Sequence, residues 1–497
     1  MTVYLTLILL LIYFQILETM GIFGVRIKFF HRHSTHRLIY IGLFCHITEM
    51  TESDFTLVGA GDAILVRKLR TIESSDFDAV VERIRDADAA VVNFESLAHD
   101  YEHPPAAASG GTYMRSPPSV LDELTWAGFN LFAAATNHSF DYTHEGLLTT
   151  MEHMENRGIA YAGIGRNLAA AREPVYIDTP AGRVALIASC STITGGSIAG
   201  QQRQDMGGRP GIAPIRHDSR YVVPEEACDH LRSLSESLGL EELKQIGQNS
   251  SYPFAYPNPD EEGFVLPNLD GEDIRFVPGQ EARIERTANE QDIKALLKQV
   301  ERATRQADWV IASHHSHEYA DPTDRSYCAE FVEKYARRCI DQGAHAFIGH
   351  GAHVLQGVEI YNQRPIFYDL GNFVFQSQLV SRLPDELYER YGVDPGGNPA
   401  DLFDARAYTD DGERKGFLDN EMEWLSVLPM CEFDDGELQK ITLYPLDLKI
   451  DRPRPQRGRP FIPTGDKAEQ VIEHLDTISE PYDTSIEYRD GIGRIEF

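Results

Sequence analysis

Polar side chains that can bind metal ions or transfer protons follow successive apolar runs of the sequence. Each run has the length and composition of a buried β-strand, and the polar residues end it or come soon after it. These residues are Asp62, Glu95, Asn137, His138, Asp141, His314, His350 and His353. Because α/β sheets hold ligands at the carboxyl ends of their strands, we expect these side chains to converge on one pocket.

Carboxylate, amide and neutral imidazole groups together form a ligand set that suits Mn, Zn or Fe. We therefore predict that one or two divalent metal ions bind at these strand ends. Two ions roughly 3.5–4 Å apart can hold both the attacking and the leaving oxygen of a phosphoester. The ligand set thus predicts metal-dependent hydrolysis.

His138 is the candidate general acid, because it stands beside Asn137 and near Asp141, a carboxylate that can fix the tautomer of its ring. A structural alternative stays open, in which Asp141 is only a favourable acid in the first turn of a helix. We interpret His315 and His317 as neighbours of the site or solvated side chains, and not as ligands.

Other single motifs also have structural readings. Gly61-Asp62 has the form of a turn, and Asn93 and Glu95 could pair with each other at a strand end. We interpret His345 as a neighbour of the site or a solvated side chain.

Alternation of short apolar runs with amphipathic stretches, from residue 54 onward, predicts an α/β domain. The predicted strands cover residues 55–59, 89–94, 129–135, 184–188, 309–313, 346–348 and 365–368. The predicted helices cover residues 116–128, 144–157, 290–306 and 325–341, and the last would carry Cys328 and Cys339 on one apolar face.

Changes in composition divide the chain into three parts. Residues 50–377 form the predicted catalytic domain, with a long insertion at about 195–285 that is rich in Gly, Pro and charge and has one helical piece. Residues 378–497 form a C-terminal extension, in part irregular and in part strands at 424–433 and 440–448.

Residues 1–49 have two interpretations. Residues 3–23 are apolar enough to anchor the chain in a membrane, and the basic residues after them favour a cytoplasmic C-terminal side. Alternatively, Met50 is the true start of an acidic cytoplasmic protein, and the first 49 residues are a mis-assigned extension.

The net charge of -31 at pH 7 argues against nucleic acid as a partner, since nothing would compensate phosphate repulsion. Only ten of the 46 basic residues are Lys, and an acidic, Lys-poor surface suits a protein that must stay hydrated in strong salt. The six cysteines are scattered without a CxxC pair, which predicts buried free thiols and no disulfide framework.

Six motifs in order resemble those of the CapA, or poly-γ-glutamate synthesis, family. They are Gly61-Asp62, Asn93-Phe94-Glu95, Thr136-Asn137-His138-Ser139-Phe140-Asp141, His314-His315-Ser316-His317-Glu318-Tyr319, Gly349-His350-Gly351-Ala352-His353-Val354-Leu355-Gln356 and Tyr368-Asp369-Leu370-Gly371-Asn372-Phe373. The resemblance covers about residues 55–375. It implies a calcineurin-like metallophosphatase fold, a central β-sandwich flanked by helices in four layers. It also implies that Asp62, Glu95, Asn137, His314, His350 and His353 bind the metal and that His138 is the catalytic acid. It further places Glu318, Asn372 and Arg209 near the substrate.

Two features depart from related patterns: one from the wider metallophosphatase pattern, a change that the CapA family shares, and one from the family's own motif. Ile64 occupies a position where metallophosphatases usually have a metal-binding His, which puts one metal's ligand shell in doubt. The usual His-Trp-Gly-x-Glu-Tyr motif reads His-His-Ser-His-Glu-Tyr at residues 314–319, so local packing or substrate fit differs.

The leading hypothesis is therefore a metal-dependent phosphoesterase linked to capsule or poly-γ-glutamate production, with a phosphoester or anionic polymer as substrate. A second is a non-enzymatic assembly factor of a polyanion synthesis or export complex, in which metal is structural and capsule-synthesis proteins are partners. A third is a hydrolase that cleaves polymer amide bonds.

Overall fold

The computed structural model describes residues 54–248, 263–266, 273–394 and 396–495. The chain divides into two units, Met1–Asp54 and Phe55–Phe497, and the second unit holds the fold described below. The predictions for residues 1–49, including the apolar stretch 3–23, lie outside the described residues. Within the described ranges, no helix has both the length and the apolar character needed to cross a bilayer.

The strands of the described residues are numbered in chain order. They are β1 (Phe55–Ile64), β2 (Ala89–Asn93), β3 (Leu97–Ala98), β4 (Arg115–Ser116), β5 (Leu131–Ala133), β6 (Ala160–Ala162), β7 (Ile164–Gly165), β8 (Val175–Thr179), β9 (Gly182–Cys190), β10 (Gly211–Ile212), β11 (His217–Val223), β12 (Phe264–Leu266), β13 (Ile274–Pro278), β14 (Arg283–Ala288), β15 (Trp309–His315), β16 (Tyr319–Asp321), β17 (Asp324–Cys328), β18 (Ala346–His350), β19 (Val358–Tyr361), β20 (Arg364–Phe367), β21 (Asn372–Phe375), β22 (Leu425–Asp434), β23 (Glu437–Asp447), β24 (Glu487–Arg489) and β25 (Ile492–Ile495).

The α-helices of the same ranges are α1 (Ser75–Arg85), α2 (Ser119–Ala127), α3 (Thr143–Glu155), α4 (Leu168–Arg172), α5 (Glu225–Ser237), α6 (Leu240–Gln248), α7 (Glu290–Ala303), α8 (Glu330–Asp341), α9 (Asp385–Arg390), α10 (Pro399–Ala407) and α11 (Asp466–Ser479). Local chemistry explains several ends. The Asn289 side chain accepts hydrogen bonds from two N–H groups of the first turn of α7, and α2 ends at Gly128 with φ of 116°.

Two large sheets carry the fold. The first has the order β24-β25-β23-β22-β1-β2-β5-β6, with β21 also paired to β1. The second has the order β19-β20-β18-β15-β9-β8. Strands β1, β2, β5 and β6 are parallel, as are β20, β18, β15 and β9, so each sheet gathers several carboxyl strand ends at one edge.

The main core lies between the two sheets, where Leu57 and Val91 of the first join one apolar cluster with Leu186 and Ile311 of the second. Helices α1 and α2 cover the outer face of the first sheet, and α7 and α8 cover that of the second. The result is four layers, helix–sheet–sheet–helix, and it confirms the predicted α/β class.

The insertion and the C-terminal segment both contribute strands to sheets. Strands β11 to β14 form a four-stranded sheet inside the insertion. In the C-terminal segment, β22 pairs antiparallel with β1, and β23 pairs with β22, so this segment completes the first sheet. The described part of the segment 378–497 therefore belongs to the same unit as the predicted catalytic domain.

One predicted helix is too long. Residues 325–328 belong to β17, which forms a hairpin with β16, and α8 begins only at Glu330. The helical spacing of apolar residues continued across the boundary by coincidence, so Cys328 and Cys339 do not share a helix. All five cysteines of the described residues are buried and free, as predicted.

Candidate metal centre

Asp62 reaches the space between the sheets from β1. The pairing of β1 with β2 shifts between Ala60 and Asp62, and such an irregularity re-aims the side chain that follows it. Asp62 Oδ1 accepts a hydrogen bond from Asn93 Nδ2 at 2.7 Å, and Oδ2 accepts one from the Gly351 N–H at 3.1 Å. Burial opposes ionisation, but the hydrogen bond to His353 and the neighbouring histidine charges hold the pKa of Asp62 well below its usual range.

Glu95 is the least satisfied carboxylate of the site. Its side chain is fully buried, and neither Oε1 nor Oε2 has a hydrogen-bond partner among the described residues. Burial and the charges of Asp62, Asp369 and Asp141 raise the pKa of Glu95 well above its usual range. A buried carboxylate with two unpaired oxygens beside other acids has the chemistry of a cation ligand.

Three histidines surround Glu95 at nearly equal distances. His315 Nε2 lies 3.7 Å from Glu95 Oε1, and Nε2 of both His138 and His353 lies 3.8 Å from the same oxygen. These side chains come from β15 and from the loops after β5 and β18, so the two sheets contribute to one cluster.

Two overlapping groups can each hold a metal ion. Asp62, Glu95 and His353 offer ligand atoms within 4.8 Å of one another, and so do Glu95, His315 and His317. Glu95 belongs to both groups. The donor set therefore fits one divalent ion, or two that share Glu95.

Asn137 and His138 lie in the turn before α3. Asn137 Oδ1 is 3.0 Å from His315 Nε2, which brings the amide to the cluster. His138 Nδ1 is 2.6 Å from Asp141 Oδ2, and the same oxygen accepts the Met114 N–H at 2.6 Å. Asp141 therefore holds the His138 ring with Nε2 turned toward Glu95.

His350 ends β18, directly opposite His315 in the pairing of β18 with β15. It is buried, and neither ring nitrogen has a hydrogen-bond partner among the described residues. Burial lowers the pKa of His350 to about 4 although Asp62 opposes the shift, so the ring is neutral and able to bind metal at pH 7.

His314, a predicted ligand, is not brought to the cluster. Side chains alternate along a strand, and in β15 Trp309 and Ile311 face the other sheet, as His315 does. His314 faces the helical layer, with Nδ1 2.9 Å from Ser189 Oγ and its ring beside Tyr335. Its neighbour His315 reaches the cluster instead, with Nε2 3.7 Å from Glu95 Oε1.

The three residues expected near the substrate have different surroundings. Asn372 Oδ1 is 3.0 Å from His353 Nδ1 and thus orients that ring. Glu318 accepts a hydrogen bond from Thr192 Oγ1 at 2.9 Å and so connects the loop after β15 with the loop after β9. Arg209 is exposed and donates its Nε–H to a backbone carbonyl 3.1 Å away, so it lies outside the cluster.

The sequence did not indicate His315, His317 or Asp369 as members of the cluster, and it offered Asn93 only as a partner of Glu95, whose oxygens accept no hydrogen bond from the described residues. Asn93 binds Asp62, and Asp369 accepts the N–H groups of two residues in the loops that carry the site. The alternation of β15 is a signal that could have separated His315 from His314. Ile64, which replaces the usual histidine, packs in an apolar cluster and contributes no ligand.

The protein is an α/β sandwich whose two sheets enclose a buried Asp–Glu–His cluster. This cluster is a candidate metal centre at the carboxyl ends of the strands. The family model described as bacterial capsule synthesis protein PGA_cap matches residues 56–377, and the chain belongs to this family. The match confirms the resemblance drawn from the motifs.

Relatives extend the likeness beyond the matched domain. The protein named "Uncharacterized protein y4sH" of Sinorhizobium fredii is 31% identical over 453 residues, which cover 89% of this chain and 93% of that protein. The capsule biosynthesis protein CapA of Bacillus anthracis is 23% identical over 356 residues, 69% of this chain and 64% of that protein. The PGA biosynthesis protein CapA of Bacillus subtilis is 35% identical over 122 residues, 23% and 30% of the two chains.

Proposed function

We propose that this protein is a metal-dependent hydrolase of phosphoester bonds that acts in the synthesis of a capsule or a related anionic polymer. The observation that carries the proposal is Glu95, whose two buried, unpaired oxygens lie within two groups of metal-binding side chains. The link to capsule synthesis rests on family membership.

The residues that would hold the metal are Asp62, Glu95, Asn137, His315, His317, His350 and His353. One or two bound divalent ions would supply Lewis acidity toward the phosphoester and favour ionisation of a water molecule. Mn, Zn and Fe all suit this set of oxygen and nitrogen donors. Asn93 and Asn372 orient Asp62 and His353 through the hydrogen bonds described above.

His138 has the surroundings of a general acid. Asp141 fixes its Nδ1, so that Nε2 is turned toward the cluster and can donate a proton to a leaving oxygen. In this arrangement Asp141 stabilises the protonated ring and selects its tautomer.

The test is hydrolysis of a generic phosphoester by the purified protein loaded with Mn, Zn or Fe, beside Asp62→Ala and His350→Ala. We expect metal-dependent turnover by the unaltered protein and a loss of about a hundredfold or more in each variant, in line with losses at preorganised sites. Equal rates in all three proteins would refute the proposal.

A second candidate is an assembly factor of the polymer-synthesis machinery, with capsule-synthesis proteins as partners and a metal ion that only stabilises the fold. Its support is that Ile64, an apolar residue that cannot bind a metal ion, occupies the position of the usual metal-binding histidine. In that case chelation would lower the melting temperature, no phosphoester would be hydrolysed, and partner enzymes would co-purify.

A further inference from the structure

A cavity of about 260 Å³ lies beside the candidate metal centre. Most of its wall comes from the C-terminal segment, including Tyr391, Phe403, Arg406, Phe417 and Glu423. These residues lie beyond residue 377, where the match to the family ends. The cavity is therefore built largely by a part of the chain outside the matched domain.

Two contacts join this cavity to the metal-binding side chains. The Phe417 ring lies against the His353 ring, with centroids 6.3 Å apart. The backbone carbonyl of Glu423 accepts a hydrogen bond from Asn372 Nδ2 at 3.0 Å, and Asn372 in turn orients His353. Two residues of the cavity wall, Phe417 and Glu423, are therefore in direct contact with side chains of the metal centre.

Arg406 supplies the charge of the cavity. It is partly buried, and no carboxylate forms an ion pair with it among the residues that the structure describes. Its Nη1 donates to Thr112 Oγ1 at 2.5 Å, and its guanidinium lies over the Tyr391 ring at 5.3 Å. Most of the guanidinium donors are thus left for a ligand, which is unusual in a chain of net charge -31.

The hydrogen bond to Thr112 also brings Arg406 toward the candidate acid. The preceding residue, Gly111, approaches the ring of His138 so closely that a Cβ there would lie 3.8 Å from its Cε1. Arg406 is thus tied to the loop beside His138, while Phe417 contacts His353. The cavity is linked to both sides of the proposed reaction centre.

Glu423 does not cancel this charge, because it has a cation of its own. Its Oε1 accepts a hydrogen bond from Arg325 in a short ion pair, and the side chain is buried. The other oxygen, Oε2, has no hydrogen-bond partner among the described residues, and no ion pair joins Glu423 to Arg406, so Arg406 remains available to an anion.

We infer that this cavity is a subsite for a second anionic group of the substrate, a carboxylate or a phosphate, and that Arg406 binds it. The inference rests on the proposed function, since the first group would be the phosphoester at the metal centre. Phe403, Tyr391 and Phe417 give the cavity an aromatic wall, so the anion is carried on an organic moiety that packs against these rings. Arg406 is a specificity residue in this view, with no part in bond cleavage.

The first experiment measures equilibrium binding to the metal-loaded, full-length protein, and needs no turnover. The probes are benzoate, benzylphosphonate and neutral benzamide, tested with the unaltered protein, Arg406→Gln and the control Arg305→Gln. Arg305 is an exposed arginine paired with Glu301, and its change removes the same charge elsewhere. We expect Arg406→Gln to raise the Kd of the preferred anion about tenfold and to leave benzamide unchanged, as one charge-assisted contact requires.

The larger loss, for benzoate or for benzylphosphonate, identifies the carboxylate or the phosphate as the natural group. Equal Kd values in the unaltered protein and Arg406→Gln, or an equal loss for benzamide, would overturn the inference. Thermal melting checks that Arg406→Gln folds. If Arg406→Gln does not fold, Thr112→Val takes its place, because it removes the oxygen that holds Nη1 of Arg406 in position. We then expect the Kd of the preferred anion to rise and the Kd of benzamide to stay unchanged.

The second experiment separates this inference from the proposed function. The ratio of kcat/KM for 4-carboxyphenyl phosphate to that for 4-carbamoylphenyl phosphate should exceed one in the unaltered protein and fall toward one in Arg406→Gln. If no phosphoester is hydrolysed, the proposed function fails, while the binding experiment still decides whether Arg406 holds an anion.

Discussion

At the scale of single residues, Glu95 determines the chemistry of the site. Its carboxylate is enclosed by three histidines and lies near other acids, yet it accepts no hydrogen bond from the described residues. Water is excluded from it, so the charge has to be neutralised by a proton or by a cation. The nitrogen and oxygen donors around it favour the cation.

The first prediction compares adjacent histidines. His315→Ala should abolish metal binding, because it removes a ring that lies 3.7 Å from Glu95 Oε1. His314→Ala should retain the metal but lower the free energy of unfolding by about 1–3 kcal/mol, since it removes a buried hydrogen-bonded ring. Titration with Mn²⁺ and urea unfolding of the metal-free proteins measure the two effects. Loss of metal in His314→Ala alone would contradict this assignment.

The second prediction concerns His138. If it protonates the leaving oxygen, His138→Asn should reduce the hydrolysis of phenyl phosphate by about a hundredfold or more. Hydrolysis of 4-nitrophenyl phosphate should fall much less, because nitrophenolate leaves without a proton. The metal content serves as the control and should not change. An equal loss with both substrates would remove His138 from this role.

The third prediction uses His345, which lies before β18 and away from the metal centre. Its Nδ1 accepts the Val310 N–H at 3.1 Å and its ring packs on Trp309. Burial, with a smaller effect of Arg364, lowers the pKa of His345 to about 4. As the pH falls, His345 therefore binds a proton near pH 6.5 in the unfolded chain but only near pH 4 in the folded chain.

The stability that comes from neutral His345 is thus full above pH 6.5 and is lost as the pH falls toward 4. Between pH 7.5 and 5 the loss is about 2 kcal/mol. Urea unfolding of the unaltered protein and His345→Gln at both pH values should show the advantage of the unaltered protein shrinking by that amount. A constant difference would mean that His345 has the same pKa in the folded and the unfolded chain.

At the scale of elements, close backbone approach sets the position of Asp62. A Cβ on Gly61 would lie 1.9 Å from the Gly371 carbonyl oxygen, to which the Asp62 N–H donates at 2.9 Å. Only a residue without a side chain lets β1 pass so near this loop. The irregularity of β1 that turns Asp62 inward depends on the same contact.

Gly61→Ala should therefore lower the free energy of unfolding by about 3 kcal/mol and weaken metal binding, because β1 must shift. Gly207→Ala is the matched control, since a Cβ there meets nothing within 4 Å. Urea unfolding measures the first effect and metal titration the second. Equal stability of the two variants would show that β1 tolerates the displacement.

The sequence predicts the buried parallel strands well, because the short apolar runs in β2, β15 and β18 contain β-branched or aromatic residues and end at polar ones. The insertion sheet was not predicted, since β11 and β14 are rich in polar residues and only Val222 of the two strands is buried. The hairpin before α8 was missed because Cys328 continues the apolar spacing of that helix. His315 was missed because position after a strand does not reveal which side chain faces the partner sheet.

At the scale of the whole molecule, the net charge of -31 works against the folded state through self-repulsion. Salt screens this repulsion, and the Debye length falls to about 3 Å at 1 M. We expect the melting temperature to rise from 0.05 M to 1 M KCl and to change little above it. An equal osmolarity of glycerol is the control, and a flat or falling melting temperature in KCl would contradict the expectation.

The pairing of β22 with β1 has a consequence for biosynthesis. The first strand of the sandwich, with Phe55 beside Phe433, obtains its antiparallel neighbour only after the ribosome has synthesised residues 425–434. Until then the edge of β1 that pairs with β22 is open to other nascent chains, and the first sheet is incomplete. A ribosome that stops early would therefore release a polypeptide with every candidate metal ligand but with an adhesive edge, and such fragments should depend on chaperones or be degraded.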